Sequence, residues 1–322
     1  MHDFVSNLQT NFSFHLYLFQ MFAVTILGNN SAIPAYDRHP TAQIITINDQ
    51  LLLIDCGEGT QMQLSKYKIK RGKLNHIFIS HLHGDHYFGL IGLVTSMGLL
   101  GREQPLHIYG PAGLEAIIQI QLKVADTHLP FELLFHPITK EEVIVDLPKF
   151  SVKCFATQHR IPCWGFIIKE KKSPRKISKE NVLKFEIPAA YYKELKEGKD
   201  YTTKEGVVIF NEQVTIPNSV NRSYAFCADT IYDERLAEVA KDVSLLYHEA
   251  TYLHALEDRA AARFHSTTVQ AATIAKMANA HQLLLGHFSS KYEDLRDFLS
   301  EAKAVFPKTY LAIEGVTFLI QK

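Results

Sequence analysis

Cysteine is scarce in this chain of 322 residues, which has only four. They are Cys56, Cys154, Cys163 and Cys227. No two of them have the Cys-x-x-Cys spacing that is typical of a structural zinc site or a redox centre. We therefore expect four buried free thiols, as in proteins of a reducing cytosol.

Net charge is also absent, because 34 lysines and arginines balance 34 aspartates and glutamates. This balance excludes a chain that attracts polyanions over its whole surface, so binding to nucleic acid would need a local basic patch. Hydrophobic residues make up 47% of the chain and charged residues 21%, an ordinary composition for a globular protein. At this length, the composition predicts one large domain with a substantial core.

No apolar run reaches the length of a membrane-spanning helix. The first twenty residues contain no lysine or arginine, so they lack the basic start of a signal peptide, and no cleavage site of small residues follows them. We therefore expect a cytoplasmic protein that does not associate with membranes. Because a clear β-type run begins at Phe22, we interpret residues 1–20 as an N-terminal extension.

Short β-type runs alternate with helical patterns in two stretches of the chain, from Phe22 to Lys169 and from Ser223 to the C-terminus. This alternation predicts an α/β fold. Between the two stretches, residues 171–211 are polar and rich in lysine, with few apolar residues for a core. We therefore predict one domain formed by residues 21–170 and 212–322, with residues 171–211 as an insertion.

The most informative segment follows a predicted strand and reads Ser-His-Leu-His-Gly-Asp-His from position 80 to position 86. Three imidazoles and a carboxylate can converge there, because glycine lets the backbone turn sharply between them. Imidazole and carboxylate together suit zinc. The spacing can divide between two ions, with His81 and His83 facing one ion and Asp85 and His86 facing the other.

Further candidate ligands follow other predicted strands, namely His159, Asp229 and His287. Each alone would be weak evidence, since a single polar residue after a strand is usually a cap. Together with the loop they give enough ligands for two zinc ions, and the carboxylate of Asp229 suits a bridging position. Two neighbouring metals can activate water and stabilise both oxygens of an in-line displacement at phosphorus. The ligand set therefore predicts a metal-dependent hydrolase.

Several motifs accompany this ligand pattern along the chain. They are Asp55-Cys56-Gly57-Glu58-Gly59-Thr60-Gln61, Cys227-Ala228-Asp229-Thr230, His248-Glu249-Ala250-Thr251, His265-Ser266-Thr267 and Gly286-His287-Phe288-Ser289. With them, the chain from Met21 onward resembles the ribonuclease Z family of the metallo-β-lactamase superfamily. The resemblance implies a four-layer αβ/βα sandwich with an inserted flexible arm. It also implies a zinc-dependent endoribonuclease that removes the 3′ trailer of precursor tRNA, leaving a 3′-hydroxyl on the tRNA and a 5′-phosphate on the trailer.

The resemblance implies two Zn²⁺ ions per subunit, with Asp229 shared between them. The other ligands form two sets, His81, His83 and His159 for one ion and Asp85, His86 and His287 for the other. Asp85 would also act as the general base. His265 is the candidate proton donor to the leaving group, held by Glu249, and His248 is the alternative donor. A purely structural role for these last histidines stays open.

The inserted segment corresponds to the arm that grips tRNA in the ribonuclease Z family. Its candidate phosphate contacts are Lys171, Lys172, Arg175, Lys176, Lys196 and Lys199. The stretch Ile187-Pro188-Ala189-Ala190 departs from the family pattern, which has glycine and proline after the first proline. The resemblance also implies a homodimer.

The same ligand set leaves two other interpretations of the function open. A hydrolase of small phosphodiesters, thioesters or lactones would use this metal centre but would have no need of a basic arm. A protein that only binds RNA or stores metal would be expected to lack ligands, whereas this sequence has the full set. Zinc, manganese and iron can all occupy sites of this kind.

Overall fold

The computed structural model describes residues 21–321 of the chain. The predicted N-terminal extension, residues 1–20, lies outside the described residues. Within residues 21–321, every helix is too short or too polar to cross a lipid bilayer.

The N-terminal part of the chain contributes six strands and four helices to the fold. The strands are β1 (Phe22–Gly28), β2 (Ala42–Ile47), β3 (Gln50–Ile54), β4 (Leu74–Phe78), β5 (Leu106–Gly110) and β6 (Leu133–Pro137). The helices are α1 (Thr60–Lys66), α2 (Gly84–Tyr87), α3 (Leu90–Leu99) and α4 (Gly113–Val124). A short 3₁₀ turn, Arg71–Lys73, leads into β4. Three further strands follow, β7 (Val143–Asp146), β8 (Phe150–Ala156) and β9 (Trp164–Glu170).

A small compact unit then extends from Glu170 to Asn221. Its elements are β10 (Arg175–Ile177), α5 (Lys179–Lys184), α6 (Tyr192–Lys196), β11 (Tyr201–Thr202), β12 (Val208–Ile209), α7 (Asn211–Val214) and β13 (Thr215–Pro217), with a 3₁₀ turn at Ala189–Tyr191. The segment was expected to hold few apolar residues for a core, and this expectation was wrong. Five aliphatic side chains form a buried cluster of its own: Val182, Ile187, Leu195, Ile209 and Val214.

The C-terminal part completes the larger unit, which comprises the described residues up to Lys169 and from Arg222 onward. Its strands are β14 (Ser223–Cys227), β15 (Leu245–Glu249), β16 (Leu283–Gly286), β17 (Thr309–Leu311) and β18 (Thr317–Leu319). Its helices are α8 (Arg235–Val239), α9 (Glu257–Ala262), α10 (Thr268–Met277) and α11 (Arg296–Val305), with a 3₁₀ turn at His254–Leu256. Thr267 caps α10, because its side chain accepts a hydrogen bond from the backbone of Gln270.

Two seven-stranded sheets form the centre of the larger unit. Sheet 1 has the order β18-β1-β2-β3-β4-β5-β6, and sheet 2 has the order β17-β16-β15-β14-β9-β8-β7. Aromatic side chains such as Phe78 and Phe166 fill the space between the sheets, with ring centroids 5.4 Å apart. Helix α3 covers the other face of sheet 1 through residues such as Leu93. Helices α8 and α11 cover sheet 2 through Leu236 and Phe298. The layers are therefore helix, sheet, sheet and helix.

Parallel pairing brings the candidate ligands to one edge of this sandwich. Strands β3 to β6 pair in parallel in sheet 1, and β14 to β17 do so in sheet 2. The carboxyl ends of parallel strands lie at the same edge of a sheet, where α/β proteins commonly bind ligands. His81 follows β4, Asp229 follows β14 and His287 follows β16.

Candidate metal centre and active site

The histidine-rich loop lies between β4 and α3. His83 precedes α2 with an extended backbone, and α2 then carries Asp85 and His86. The loop packs tightly against the segment after β3, since a Cβ atom on Gly57 would lie 2.4 Å from the backbone oxygen of Asp85. Glycine is therefore required at position 57 for this approach.

The first ligand set converges on one small volume. His83 Nδ1 lies 2.9 Å from His81 Nε2 and 3.1 Å from His159 Nε2. Asp229 Oδ2 lies 3.7 Å from His81 Nε2 and 3.9 Å from His159 Nε2. One ligand atom from each of these four residues lies within 4.8 Å of the others. Such a set can hold one metal ion.

The second ligand set lies on the other side of Asp229. Asp85 Oδ2 is 3.5 Å from His86 Nε2 and 3.4 Å from His287 Nε2. Asp229 approaches the same rings, with its Oδ1 3.3 Å from His287 Nε2 and its Oδ2 3.5 Å from His86 Nε2. The Nε2 atoms of His86 and His287 are buried without a hydrogen-bond partner in the described structure. Buried polar atoms normally have partners, so these two orphaned nitrogens fit a bound metal ion.

Hydrogen bonds behind the histidines fix which ring nitrogen faces the centre. The fully buried carboxylate of Asp55 accepts a hydrogen bond from His86 Nδ1 at 2.7 Å and another from Ser80 Oγ at 3.0 Å. Thr251 Oγ1 lies 3.0 Å from His287 Nδ1. The backbone oxygen of Phe264 lies 3.0 Å from His159 Nδ1. Each contact occupies Nδ1 and leaves Nε2 for the centre.

Four of these supporting residues were not predicted from the sequence: Asp55, Ser80, Thr251 and Phe264. Asp55 could have been found, because it directly follows β3 and therefore lies at the same edge as the ligands. The contact from Phe264 uses a backbone oxygen, which no residue type in the sequence indicates.

Electrostatics prepares the centre for a cation. Burial would raise the pKa of Asp229, but the nearby His287 and His86 hold it well below its usual range. Asp85 is affected in the same way, with its pKa lowered by His86 and His287 against the effect of burial. Burial and neighbouring histidines lower the pKa of His83 to about 4. The two carboxylates are therefore anionic and His83 is neutral, as metal ligands must be. Burial would lower the pKa of His86, but Asp85 and Asp55 raise it well above its usual range, so a metal ion there would have to displace its proton.

His265 and Glu249 form a hydrogen-bonded pair beside the ligands. His265 Nδ1 lies 2.9 Å from Glu249 Oε1 and 4.0 Å from Asp229 Oδ2. Glu249 is fully buried and accepts further hydrogen bonds from the backbone of Ser266 and Thr251. Burial lowers the pKa of His265, but the charge and hydrogen bond of Glu249 outweigh it and raise the pKa to about 9. The ring can therefore carry a proton at neutral pH.

His248, the alternative proton donor, does not line the cleft over the centre. Its side chain is fully buried, and its Nδ1 is 2.7 Å from the backbone oxygen of Glu249. It is absent from the residues that line the cleft over the centre, whereas His265 is among them. The structure therefore brings His265, and not His248, to the cleft.

The cleft has a volume of about 720 Å³ and is open to solvent. Candidate ligands from both sets line it, including His83, Asp85 and His287. Three arginines that were not predicted from the sequence also line it: Arg160, Arg259 and Arg263.

The basic residues predicted for the insertion lie in the small unit, where several have internal partners, among them Lys199, whose Nζ lies 3.8 Å from a carboxylate oxygen of Glu197. Lys172 Nζ is 2.8 Å from a carboxylate oxygen of Glu170, and Arg175 donates a hydrogen bond to Thr215 Oγ1 at 2.6 Å. Four of the side chains are exposed: Lys171, Lys176, Lys196 and Lys199.

Comparison with known proteins agrees with this architecture. A family model described as "Anti-Pycsar protein Apyc1" matches residues 22–182, a stretch that ends before Asp229. The crystal structure of the metallo-beta-lactamase fold protein YhfI from Bacillus subtilis is 20% identical, with a TM-score of 0.66 over 93% of this chain and all of that chain. The predicted fold class is thereby confirmed.

Closer relatives match almost the whole length of the chain. "Ribonuclease Z" of Bacteroides fragilis (strain YCH46) is 44% identical over 299 residues, which cover 92% of this chain and 98% of that protein. The crystal structure of human tRNase Z, short form, is 29% identical, with a TM-score of 0.69 over 93% of this chain and 100% of that chain. The chain therefore belongs to the ribonuclease Z family of hydrolytic endoribonucleases with the metallo-β-lactamase fold.

Proposed function

We propose that this protein is a zinc-dependent endoribonuclease that removes the 3′ trailer from precursor tRNA, leaving a 3′-hydroxyl on the tRNA and a 5′-phosphate on the trailer. The observation that carries this proposal is a single cleft in which two ligand sets share Asp229 and the His265–Glu249 pair lies beside them. The names of the relatives, ribonuclease Z and tRNase Z, supply the substrate class.

Two zinc ions per subunit would be held by seven side chains. His81, His83 and His159 would bind one ion, Asp85, His86 and His287 would bind the other, and Asp229 would bind both. When bound, the ions would polarise the phosphoryl group, acidify a water molecule and offset the charge of the leaving oxygen. All other steps belong to side chains of this chain.

Asp85 would accept the proton of the attacking water. Its Oδ2 accepts a hydrogen bond from the backbone nitrogen of Ala32 at 2.7 Å and lies near His86 and His287, so the carboxylate is held in place. Its lowered pKa keeps it anionic but gives it a low affinity for protons, so the transfer would rely on the acidity that a bound metal gives the attacking water.

His265 would donate a proton to the leaving 3′ oxygen of the ribose. A ribose oxygen is a poor leaving group unless it is protonated, so this step needs an acid. Glu249 orients the ring through Nδ1, which leaves Nε2 as the donor toward the cleft.

The small unit, Glu170–Asn221, would bind the body of the tRNA. Its exposed cations, among them Lys196 and Lys199, can contact backbone phosphates far from the scissile bond. A homodimer and a cytoplasmic location also stay predictions from the family resemblance and the sequence.

The test is to incubate the zinc-loaded protein with a 3′-extended precursor tRNA and to map the new ends. A single cut next to the acceptor stem, with a 3′-hydroxyl on the tRNA and a 5′-phosphate on the trailer, is the expected result. An Asp85→Ala variant that retains its zinc should be inactive. No cleavage, together with fast turnover of a small phosphodiester, thioester or lactone, would replace the proposal with the small-substrate hydrolase.

A further inference from the structure

The rim of the cleft carries two arginines that form no ion pair within residues 21–321. Arg259 and Arg263 line the same cleft as Asp85, Asp229 and His265. Both side chains are exposed, and no ion pair joins either of them to a carboxylate within residues 21–321. Two unneutralised guanidinium groups therefore face the space that the substrate must enter.

The two arginines lie one helical turn apart. Arg259 is in α9, and the backbone nitrogen of Arg263 donates to the backbone oxygen of Arg259 at 3.1 Å. Residues four positions apart lie on the same face of a helix, and like charges at this spacing destabilise the helix. A bound anion would offset this repulsion, and guanidinium groups are well suited to phosphate.

The segment that carries them is tied to the site and to the body of the fold. The Arg259 guanidinium lies 5.8 Å from the ring centroid of Tyr252, over its face. Gln270 on α10 donates a hydrogen bond to Glu257 at 2.8 Å. Beyond Arg263, the backbone oxygen of Phe264 contacts the ring of His159. These contacts hold the segment that carries the two arginines in place next to the reacting centre.

We propose that Arg259 and Arg263 bind backbone phosphates of the substrate just on the 5′ side of the cleavage point, at the acceptor end of the tRNA. The inference rests on the proposed function. His265 would protonate the leaving 3′ oxygen, and this oxygen belongs to the last nucleotide of the tRNA, not to the trailer. Arg263 is two residues from His265, so the phosphates nearest to it are those of the acceptor end.

The experiment measures binding of trailer-free tRNA, ending at the mapped cut, by the zinc-loaded protein over a range of salt concentrations. The variant is Arg259→Gln/Arg263→Gln. The control is Lys276→Gln/Lys303→Gln, which removes the same charge from exposed positions on α10 and α11 that do not line the cleft. We expect the salt slope of log K to fall by about 1.4 in the variant, about 0.7 for each single-stranded phosphate. The control should keep the slope of the unsubstituted protein.

A tRNA shortened at its 3′ end shows where on the RNA the two arginines bind. Removing the last four nucleotides from the 3′ end of the tRNA should weaken binding to the unsubstituted protein but should cause no further loss in the arginine variant. If the variant keeps the full slope and loses as much on truncation, the inference is wrong. It is also wrong if the variant cleaves a precursor with a long trailer more slowly than the unsubstituted protein but cleaves a precursor with a trailer of one nucleotide at the same rate, since the arginines would then bind the trailer.

These outcomes are separate from a failure of the proposed function. If the unsubstituted protein neither binds tRNA nor cleaves its precursor, both proposals are wrong. If it cleaves the precursor normally while the arginine variant binds tRNA with unchanged affinity and slope, only the role of the arginines is wrong.

Discussion

At the scale of single residues, Glu249 determines the protonation state of His265. Burial alone would leave the ring neutral, but the carboxylate 2.9 Å away raises the pKa of His265 to about 9. The protonated form therefore predominates below about pH 9 and is lost as the pH rises through that value. A proton donor with this pKa is charged over the whole physiological range.

Replacing His265 with alanine should slow cleavage of precursor tRNA by about 10²- to 10⁴-fold, the usual contribution of a general acid. A nitrophenyl phosphodiester should be affected much less, because its leaving group needs no proton. The rate of the unsubstituted protein on RNA should also decrease as the pH rises through about 9. Single-turnover rates on both substrates measure these effects.

The matched control is His254→Ala, which removes an exposed imidazole from the same segment. It should keep the rate on both substrates. If His265→Ala also kept its rate on RNA, the assignment of the proton donor would be refuted.

Asp55 orients the ring of His86, one of the candidate metal ligands, through a hydrogen bond to its Nδ1. Asp55→Asn should lower zinc affinity about 10- to 100-fold, since an amide no longer enforces a proton on Nδ1 of His86. Competition with a chromogenic chelator measures the affinity. Asp49→Asn is the control, because Asp49 is an exposed residue paired with Lys149 at the surface. Unchanged zinc affinity in a folded Asp55→Asn protein would show that the contact is dispensable.

The candidate ligands could be predicted from sequence, and their supporting contacts largely could not. The loop from His81 to His86 places four ligands in six positions, and the others each follow a strand. By contrast, the contact of His159 joins residues 105 positions apart and depends on Phe264 adopting a positive φ of 59°. The direction of the Phe264 carbonyl is set by this left-handed backbone conformation. A phenylalanine rarely adopts that conformation, so the sequence does not indicate it.

At the scale of elements, the two ends of the small unit are joined to neighbouring strands. β9 and β14 pair in an antiparallel arrangement, with Lys169 opposite Ser223. The small unit is therefore inserted where a short hairpin turn could close the sheet. A two-residue turn such as Asn-Gly suits this geometry.

Replacing residues 171–221 with Asn-Gly should raise the KM for precursor tRNA while sparing a small phosphodiester. The reason is that the exposed cations of the unit would contact tRNA far from the chemistry. Steady-state kinetics on both substrates provide the measurement. Lys196→Gln/Lys199→Gln in the full-length chain is the companion variant, and it should reproduce part of the KM increase. Equal losses on both substrates would contradict a role limited to docking.

The predicted insertion and the compact unit have different limits. The predicted insertion ended at residue 211, whereas the compact unit continues to Asn221 because β13 pairs with β10. Each of these strands has three residues, too few for a pattern of alternating side chains to be recognised. Its core was missed for a related reason, since the five aliphatic residues are spread over short elements and are far apart in sequence.

At the scale of the whole molecule, the candidate metal centre takes its residues from both sheets. Sheet 1 leads into the histidine-rich loop, while Asp229 and His287 follow strands of sheet 2. The alternation of strands and helices in both halves indicated an α/β fold, whereas the four-layer sandwich was implied by the family resemblance. The order of strands within the sheets depends on pairings between distant segments, such as β1 with β18, that alternation alone does not specify.

Removing the metal should therefore destabilise the whole larger unit. Metal that binds only the folded state at about 100 times its dissociation constant adds about 2.7 kcal/mol for each site. We expect the melting temperature to fall after treatment with a chelator and to recover with zinc. Differential scanning calorimetry measures both steps. An identical melting temperature with and without zinc would argue against a metal centre between the sheets.

The burial of every cysteine has a practical consequence for labelling chemistry. All four thiols are buried and unpaired, and burial raises the pKa of each, that of Cys56 to about 12. Only the thiolate reacts quickly with alkylating reagents or disulfides. A single cysteine introduced on the surface away from the cleft, for example by Lys276→Cys, would therefore be the preferred site for attaching a fluorophore or a thiol-bearing RNA without removal of the native cysteines.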